Sequence, residues 1–300
     1  MRPDTVLGTH ISVIDGWKSD GLRGSRAWRF TFERDALEEV QTHLRATALR
    51  KGSSVHRSHF PKLGPLAGAC VDELASGRGI VWIRSGSADM LRADEWRSVF
   101  SVFCSLLGMT HRVVDTGEPD PALAPAIATA MVDGMVPDVV GAVRLSPAQD
   151  GHEILLASAT AVHDEIKEHD LDLARALYRT VLHDPDASPS ESRSWAPVFH
   201  YAKSARSLQF RYDRAQIEWA HRRSDIPLRD PLPASFDLLD KTLTLPHLLA
   251  SVRPEFGDIV LVNNRRTPTV GLLNGLPPGV DQQARAMRLP NPNASAATAH

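Results

Sequence analysis

The sequence predicts an α+β domain, a β-barrel or jelly roll with helical decoration. Short apolar runs of strand composition recur along the chain, at Ile80–Ile83, Val139–Leu145 and Ile259–Val262. Between them lie stretches whose apolar residues fall at helical spacing. With 300 residues the chain can bury a sizeable core, as one large domain or two small ones.

From the N-terminal side, Asp35 to Leu49 places Leu37, Val40, Leu44 and Leu49 on one helical face, with Asp35 as its cap. Leu63 to Leu74 reads as a second helix, ended by Ser76 and Gly77, and the strand Ile80–Ile83 follows Gly79. Asp94 to Leu107 lines up Trp96, Val99, Phe100, Phe103, Leu106 and Leu107 in a stripe that belongs to a core. Val139–Leu145 and Glu153–Ala157 read as strands with a turn at Gln149-Asp150-Gly151. Ala161–Glu168 and Asp172–Leu182 read as helices, and Ser207–Tyr212 alternates like a strand. Arg214–His221 and Ser235–Leu243 are again helical, and Gly257-Asp258 turns the chain into Ile259–Val262. Residues 290–300 are small and polar and read as a disordered tail, which leaves 1–289 as a single domain.

Composition excludes several functions. Hydrophobic residues make up 42%, charged residues 23%, and the formal net charge is −2 with no block of like charges. That balance gives no footprint for nucleic acid or for an anionic membrane surface. No stretch approaches the roughly 20 apolar residues of a membrane span. Met1 to His10 has no basic segment leading into an apolar run, so no signal peptide is expected. Cys70 and Cys104 sit among apolar neighbours without a CxxC partner and read as buried, inert thiols of a cytoplasmic protein. Oligomeric state stays open.

The order of local phrases carries more. Gly77-Arg78-Gly79-Ile80-Val81-Trp82-Ile83-Arg84 is followed by Pro137-Asp138-Val139-Val140, and then by Ala148 to Ser158. Next come Arg211-Tyr212 with the helix after it, Gly257-Asp258-Ile259 through Asn263-Asn264-Arg265-Arg266, and Arg285 to Leu289. Taken in this order, from about residue 25 to 290, the phrases resemble the clavaminate synthase/TauD-like Fe(II)/2-oxoglutarate oxygenases. The resemblance implies a double-stranded β-helix, Fe(II) and 2-oxoglutarate as the family's cofactors, and a role in bacterial specialised metabolism.

It also implies where the iron ligands belong. Such enzymes hold iron with two histidines and one carboxylate, leaving positions open for co-substrate and oxygen. The HxD/E place before the Pro137-Asp138 strand reads Met131-Val132-Asp133, so Asp133 stands for the carboxylate and Met131 for the first histidine. No histidine occurs between His111 and His152, so shifting this alignment by a few residues does not supply one. The distal histidine place after the asparagine pair holds Thr269. The hairpin serine of the family is replaced by Ile154 in Gly151-His152-Glu153-Ile154. Arg285, or else Arg288, stands for the arginine that pairs with the far carboxylate of 2-oxoglutarate, and an acid could be anchored there. The expectation is therefore a degenerate facial triad, Met131, Asp133 and Thr269, and no cofactor.

Other histidines have plainer readings beside the functional one. His163-Asp164-Glu165 is the one HxD/E in the chain and reads as a solvated helix face rather than a metal site. His56 and His59 form an HxxH without a second pair, which speaks against zinc. His152 lies on the hairpin that borders the family's pocket, either as a base or as an exposed turn residue.

Three functions compete on this basis. The leading one is an iron-independent protein keeping a small-molecule pocket for an amino-acid-like ligand, with Asp133 and His152 as its catalytic candidates if it is an enzyme. The others are a metal-dependent dioxygenase with relocated ligands and a scaffold or regulatory pseudoenzyme.

Overall fold

The computed structural model describes residues 16–48, 55–86, 91–107, 111–115, 139–145, 153–183, 194–202, 207–270 and 283–287. Its first part is helical around a short strand pair. Helix α1 (Ser19–Gly24), strand β1 (Arg29–Thr31), α2 (Arg34–Ala48), α3 (Leu63–Ala75), β2 (Ile80–Arg84) and α4 (Ala93–Leu106) come in that order. Then follow β3 (His111–Asp115), β4 (Val139–Val143), β5 (Ile154–Leu156), α5 (Ala159–His169), α6 (Leu171–Ala176), β6 (Thr180–His183), β7 (Ser194–Pro197), β8 (Phe199–Ala202) and β9 (Ser207–Phe210). The last part holds α7 (Arg214–Arg223), α8 (Leu232–Thr242), β10 (Ala250–Val252), β11 (Ile259–Asn263), β12 (Thr269–Val270) and β13 (Gln283–Met287).

Six strands form one sheet in the order β1-β2-β11-β4-β13-β3, and three form a smaller one, β10-β5-β12. Only β1 and β2 run parallel; the other pairs of both sheets are antiparallel. Side chains alternate across a strand, so the register sorts the two faces of the large sheet. Val81 and Ile83 pair with Leu261 and Ile259 and bury against Leu37 and Val40 of α2, Leu63, Cys70 and Leu74 of α3, and Phe100 and Phe103 of α4. Ile80 and Trp82 pair with Val262 and Val260 and face the small sheet, packing with Ile154, Leu156, Ala250 and Val252. Two sheets enclosing an apolar layer, with helices on the outer face, give the mixed α/β content that the sequence predicts.

A second core lies beneath α5, α6, α7 and α8, where Val162, Ile166, Phe199, Phe210, Tyr212, Phe236 and Leu239 meet. Local chemistry starts these helices. Ser158 caps α5, Asp170 caps α6 through the amides of Asp172 and Leu173, and Asp213 caps α7 through Gln216.

The elements named from the sequence agree within a few residues with one departure, while α1, β1, β3, β7, β8, β10 and β12 were not among them. The helix expected over Asp172–Leu182 stops at Ala176, and Thr180–His183 is instead a strand paired with β7. Thr180 and Val181 are β-branched, and pairing with Trp195 and Ala196 outweighs an apolar spacing that fits either state. Of the closing phrase Arg285 to Leu289, residues 285–287 belong to the strand Gln283–Met287, paired with β3 and β4, and the rest lies outside the described residues. Both cysteines are buried, and burial pushes the Cys70 thiol up to about 12, as an inert core thiol requires.

Candidate functional site

The space between the sheets is filled unevenly. On the β1–β2 side, Trp28 and Trp82 stack at 5.8 Å, and Trp17 and Leu22 close over them. The Trp82 indole donates to Asp258 at 2.9 Å and the Trp17 indole to the Arg78 carbonyl at 3.1 Å, so this side is plugged and fixed. On the β4–β13 side the same inward register carries small residues. Val140 and Ala142 pair with Ala286 and Ala284, and Ala142 is partly open to solvent. In the small sheet Thr269 pairs with Leu156, a residue of the layer between the sheets. The candidate site is this small-residue register of β4 and β13.

The residues singled out from sequence are placed unequally. Thr269 opens β12, paired with Leu156. Arg285 lies in β13, paired with Gly141 of β4 and Val113 of β3. Met131, Asp133, His152 and Arg288 lie outside the described residues. Ile154, the residue in place of a hydroxyl, packs in the layer between the sheets.

Thr269 is delivered by a tightly bonded turn. Asn263 ends β11 buried, donating from Nδ2 to the Leu74 carbonyl at 2.9 Å and accepting the Arg265 amide at 3.0 Å. Thr267, fully buried, donates to the Arg78 carbonyl at 3.0 Å, and the buried Arg266 guanidinium reaches the Ala75 carbonyl. Gly79 stands against this turn with φ of 76°, and a Cβ there would come within 2.9 Å of Thr267 Oγ1. The phrases Gly77–Arg84 and Asn263–Arg266, far apart in sequence, are thus two halves of one joint.

The same holds for Gly257-Asp258. Gly257 has φ of 81°, and an added Cβ would approach the Trp96 ring to 2.4 Å. Asp258, 1% exposed, accepts from the Trp82 indole, from the Ser85 amide at 2.8 Å and from the Glu255 amide at 3.0 Å. Tyr212 of the Arg211-Tyr212 phrase is buried and donates to Asp240 at 2.7 Å, while Arg214 bonds Asp240 and Glu218, each at 2.7 Å.

The histidines are placed differently from their sequence reading. His163 does not lie on a solvated face: it is 1% exposed, packed edge-on against Tyr178 and Phe199. Its Nδ1 bonds Asp164 at 3.0 Å, which fixes the proton there, so Nε2 accepts the Tyr178 hydroxyl at 2.9 Å. Burial, and then the nearby Asp164 charge, raise the Tyr178 phenol above its usual range. His59 lines an open cleft of about 490 Å³ with His43, Asp35, Glu38, Glu39 and Lys62, and stacks on His43 at 5.9 Å. Burial, with His59 as the lesser cause, lowers the His43 pKa. Sequence reasoning missed the bond between His163 and Tyr178, because nothing local reveals that they meet.

Among the described residues no three His, Cys, Asp or Glu side chains are grouped so as to hold a metal ion, and no helix is long and apolar enough to cross a membrane. Strand β12 begins with Thr269, a residue with a neutral hydroxyl and not the imidazole of a two-histidine, one-carboxylate set.

No family model matches the sequence, and neither does any curated protein. Solved structures do match. An asparagine oxygenase in complex with Fe(II), 2S,3S-3-hydroxyasparagine and succinate aligns over 87% of this chain and 93% of its own, with a TM-score of 0.60 at 14% identity. The non-heme iron oxygenase OrfP with Fe and alpha-ketoglutaric acid aligns over 88% and 94%, with a TM-score of 0.58 at 15% identity. OrfP with Fe, succinate and (3S)-hydroxy-L-Arg gives 0.53 at 15% identity, over 87% and 93%. These neighbours correct the expectation of no cofactor, since they hold Fe(II) together with 2-oxoglutarate or succinate. That expectation counted imidazoles at aligned positions, whereas a metal's ligands need only converge in space, and the segment carrying Asp133 lies outside the described residues. Over nearly its whole length, this chain has the fold of the non-haem iron, 2-oxoglutarate-type oxygenases.

Proposed function

We propose that the two sheets close as a double-stranded β-helix whose small-residue end takes an amino-acid-like small molecule, at a site of the Fe(II)/2-oxoglutarate oxygenase type with an altered donor set. The observation that carries this reading is the alignment with oxygenases crystallised with hydroxyasparagine and hydroxyarginine, across more than four-fifths of the chain. The small residues paired in β4 and β13, Ala142 with Ala284 and Val140 with Ala286, support it, because they contrast with the tryptophans on the β1–β2 side. In such a site Fe(II) would activate O2, the oxidant, which takes two electrons from 2-oxoglutarate as it becomes succinate and CO2 and two from the carbon that is hydroxylated. Asp133 is the residue of this chain with the chemistry of a hard ligand at an aligned position, while Met131 and Thr269 replace imidazoles.

A second reading rests on those two replacements: a protein that binds the amino-acid-like ligand without oxidising it. Both are tested together by anaerobic reconstitution with Fe(II) and 2-oxoglutarate, followed by air and a panel of L-amino acids. Succinate formation that depends on one amino acid and is lost in Asp133→Ala supports the oxygenase. An amino acid that raises the unfolding temperature without succinate formation supports the binding protein. If no amino acid alters stability and no succinate forms, both readings fail.

A further inference from the structure

The chain's one histidine–carboxylate phrase, His163-Asp164-Glu165, lies outside the small-residue register of β4 and β13, and its members do three different things. Glu165 meets His247 at 3.1 Å and Lys18 at 3.8 Å on the surface. Asp164, its side chain 48% exposed, meets Nδ1 of His163 at 3.0 Å. Helix α5 carries His163 inward, where Tyr178 and Phe199 stand edge-on to its ring with centroids at 5.8 and 5.3 Å. On the far side of that ring Nε2 meets the Tyr178 hydroxyl at 2.9 Å. A hydrogen-bonded row thus runs from solvent, through a buried imidazole, to a half-buried phenol.

The direction of each bond follows from the groups. A carboxylate only accepts, so Nδ1 holds the ring proton and Nε2 turns a lone pair to the phenol. Burial, and then the Asp164 charge, raise the Tyr178 phenol above its usual range, so the resting phenol keeps its proton. A neutral phenol that loses one electron becomes a very strong acid, and holding that positive charge in a desolvated place is costly. A base already within hydrogen-bond distance removes the cost by taking the proton as the electron leaves. His163 is such a base, and the positive charge it gains lies against Asp164. Tyr212 is the contrast. Its phenol donates to Asp240 at 2.7 Å, but Arg214 holds the second oxygen of that carboxylate at 2.7 Å, and a proton there would weaken the ion pair. Among the described residues Tyr178 is the one phenol bonded to an imidazole.

We propose that Tyr178 is a reversible one-electron oxidation site, with His163 as the acceptor of its proton and Asp164 as the residue that positions and neutralises His163. The electron passes from the phenol to a one-electron oxidant of the high-potential metal-complex class, the phenolic O–H bond breaks, and an N–H bond forms at Nε2 of His163. The products are a neutral phenoxyl radical, an imidazolium beside the Asp164 carboxylate, and the oxidant reduced by one electron. An electron returned by an enediol reductant restores the phenol, with the proton moving back from Nε2. The site uses neither Asp133 nor Thr269 and goes beyond the proposed oxygenase or binding role, since it stands whether or not the chain oxidises an amino acid.

The test uses the full chain, free of metal, with a photo-excited ruthenium polypyridyl complex and an irreversible electron acceptor to generate the oxidant. Transient absorption follows the rate of phenoxyl formation, and labelling with ring-deuterated tyrosine separates its paramagnetic signal, in freeze-trapped samples, from that of the six tryptophans. The signal should appear in wild type, fall by roughly ten-fold or more in Tyr178→Phe, and remain in Tyr201→Phe. Formation should be slower in heavy water, because the O–H bond breaks as the electron leaves. His163→Gln still accepts a hydrogen bond but cannot carry the proton, and should slow formation by roughly ten-fold or more. Should that variant fail to fold, Asp164→Asn, changed at a half-exposed side chain, keeps the row of bonds and must also slow formation, since the imidazolium loses its counter-charge. The proposal is overturned if the phenoxyl signal is undiminished in Tyr178→Phe, or if His163→Gln and Asp164→Asn form it as fast as wild type.

Discussion

Asp258 is the sharpest place to perturb this fold. Its carboxylate is 1% exposed and accepts three hydrogen bonds, from the Trp82 indole at 2.9 Å, the Ser85 amide at 2.8 Å and the Glu255 amide at 3.0 Å. These bonds tie the end of β2 to the turn that begins β11, at the centre of the large sheet. Replacing Asp258 with Ala removes all three acceptors and keeps the donors in place. The Ser85 donor is buried; those of Trp82 and Glu255 are partly so and can recover some solvation. A buried donor left unpaired costs about 1–3 kcal/mol, so one full penalty and two partial ones give roughly 3–5 kcal/mol. Asp258→Asn keeps one oxygen and turns the other position into a donor, so its loss should fall at about half of that. Urea unfolding followed by tryptophan fluorescence reads both, and Trp82 reports directly on the lost bond. A loss below about 1 kcal/mol in Asp258→Ala, with an unchanged denaturant slope, would refute the assignment of Asp258 as the clamp between β2 and β11.

Three further outcomes are expected. Gly257→Ala meets the Trp96 ring and a left-handed backbone together, and should cost about 2–3 kcal/mol in the same urea assay, whereas Gly68→Ala, in open space on α3, should cost nothing measurable. His183 has a folded pKa near 3 against 6.5 in the unfolded chain, so its stability contribution is complete above pH 6.5 and is lost as pH falls from there toward 3. The full shift corresponds to roughly 4–5 kcal/mol, and His183→Gln should flatten that part of the stability–pH curve. Tyr178→Phe leaves the buried His163 Nε2 without its donor and should cost about 1–2 kcal/mol, measured by urea unfolding, with the helices retained by circular dichroism.

The parts of the fold that were legible in the sequence are those decided within a few residues or by strict local chemistry. Ile80–Ile83 and Ile259–Val262 are apolar at every position because the sheet is packed on both faces, and each face found its own cluster. Gly79, Gly257, Asp258 and Asn263 are legible for another reason: a positive φ, a ring against the backbone, or a buried amide tolerates few alternatives. These joints mark the fold, and they are silent about what the pocket holds. That is why the chain can align with asparagine oxygenase over most of its length at 14% identity.

What the sequence did not reveal depends on elements meeting across long separations. His163 sits in a polar stretch, and its helix was read as solvated. Tyr178 and Phe199 cover it, and their positions follow from where α6 ends and β8 begins, not from anything near residue 163. Thr180–His183 changed from helix to strand because β7 lay ready to pair with it. The same change buries His183, and that burial, followed by the charge of Arg211, pushes its imidazole down to about 3. Function in this fold is therefore read from convergence rather than from motifs. A missing histidine at an aligned place constrains only that place, because a metal's ligands need only converge in space.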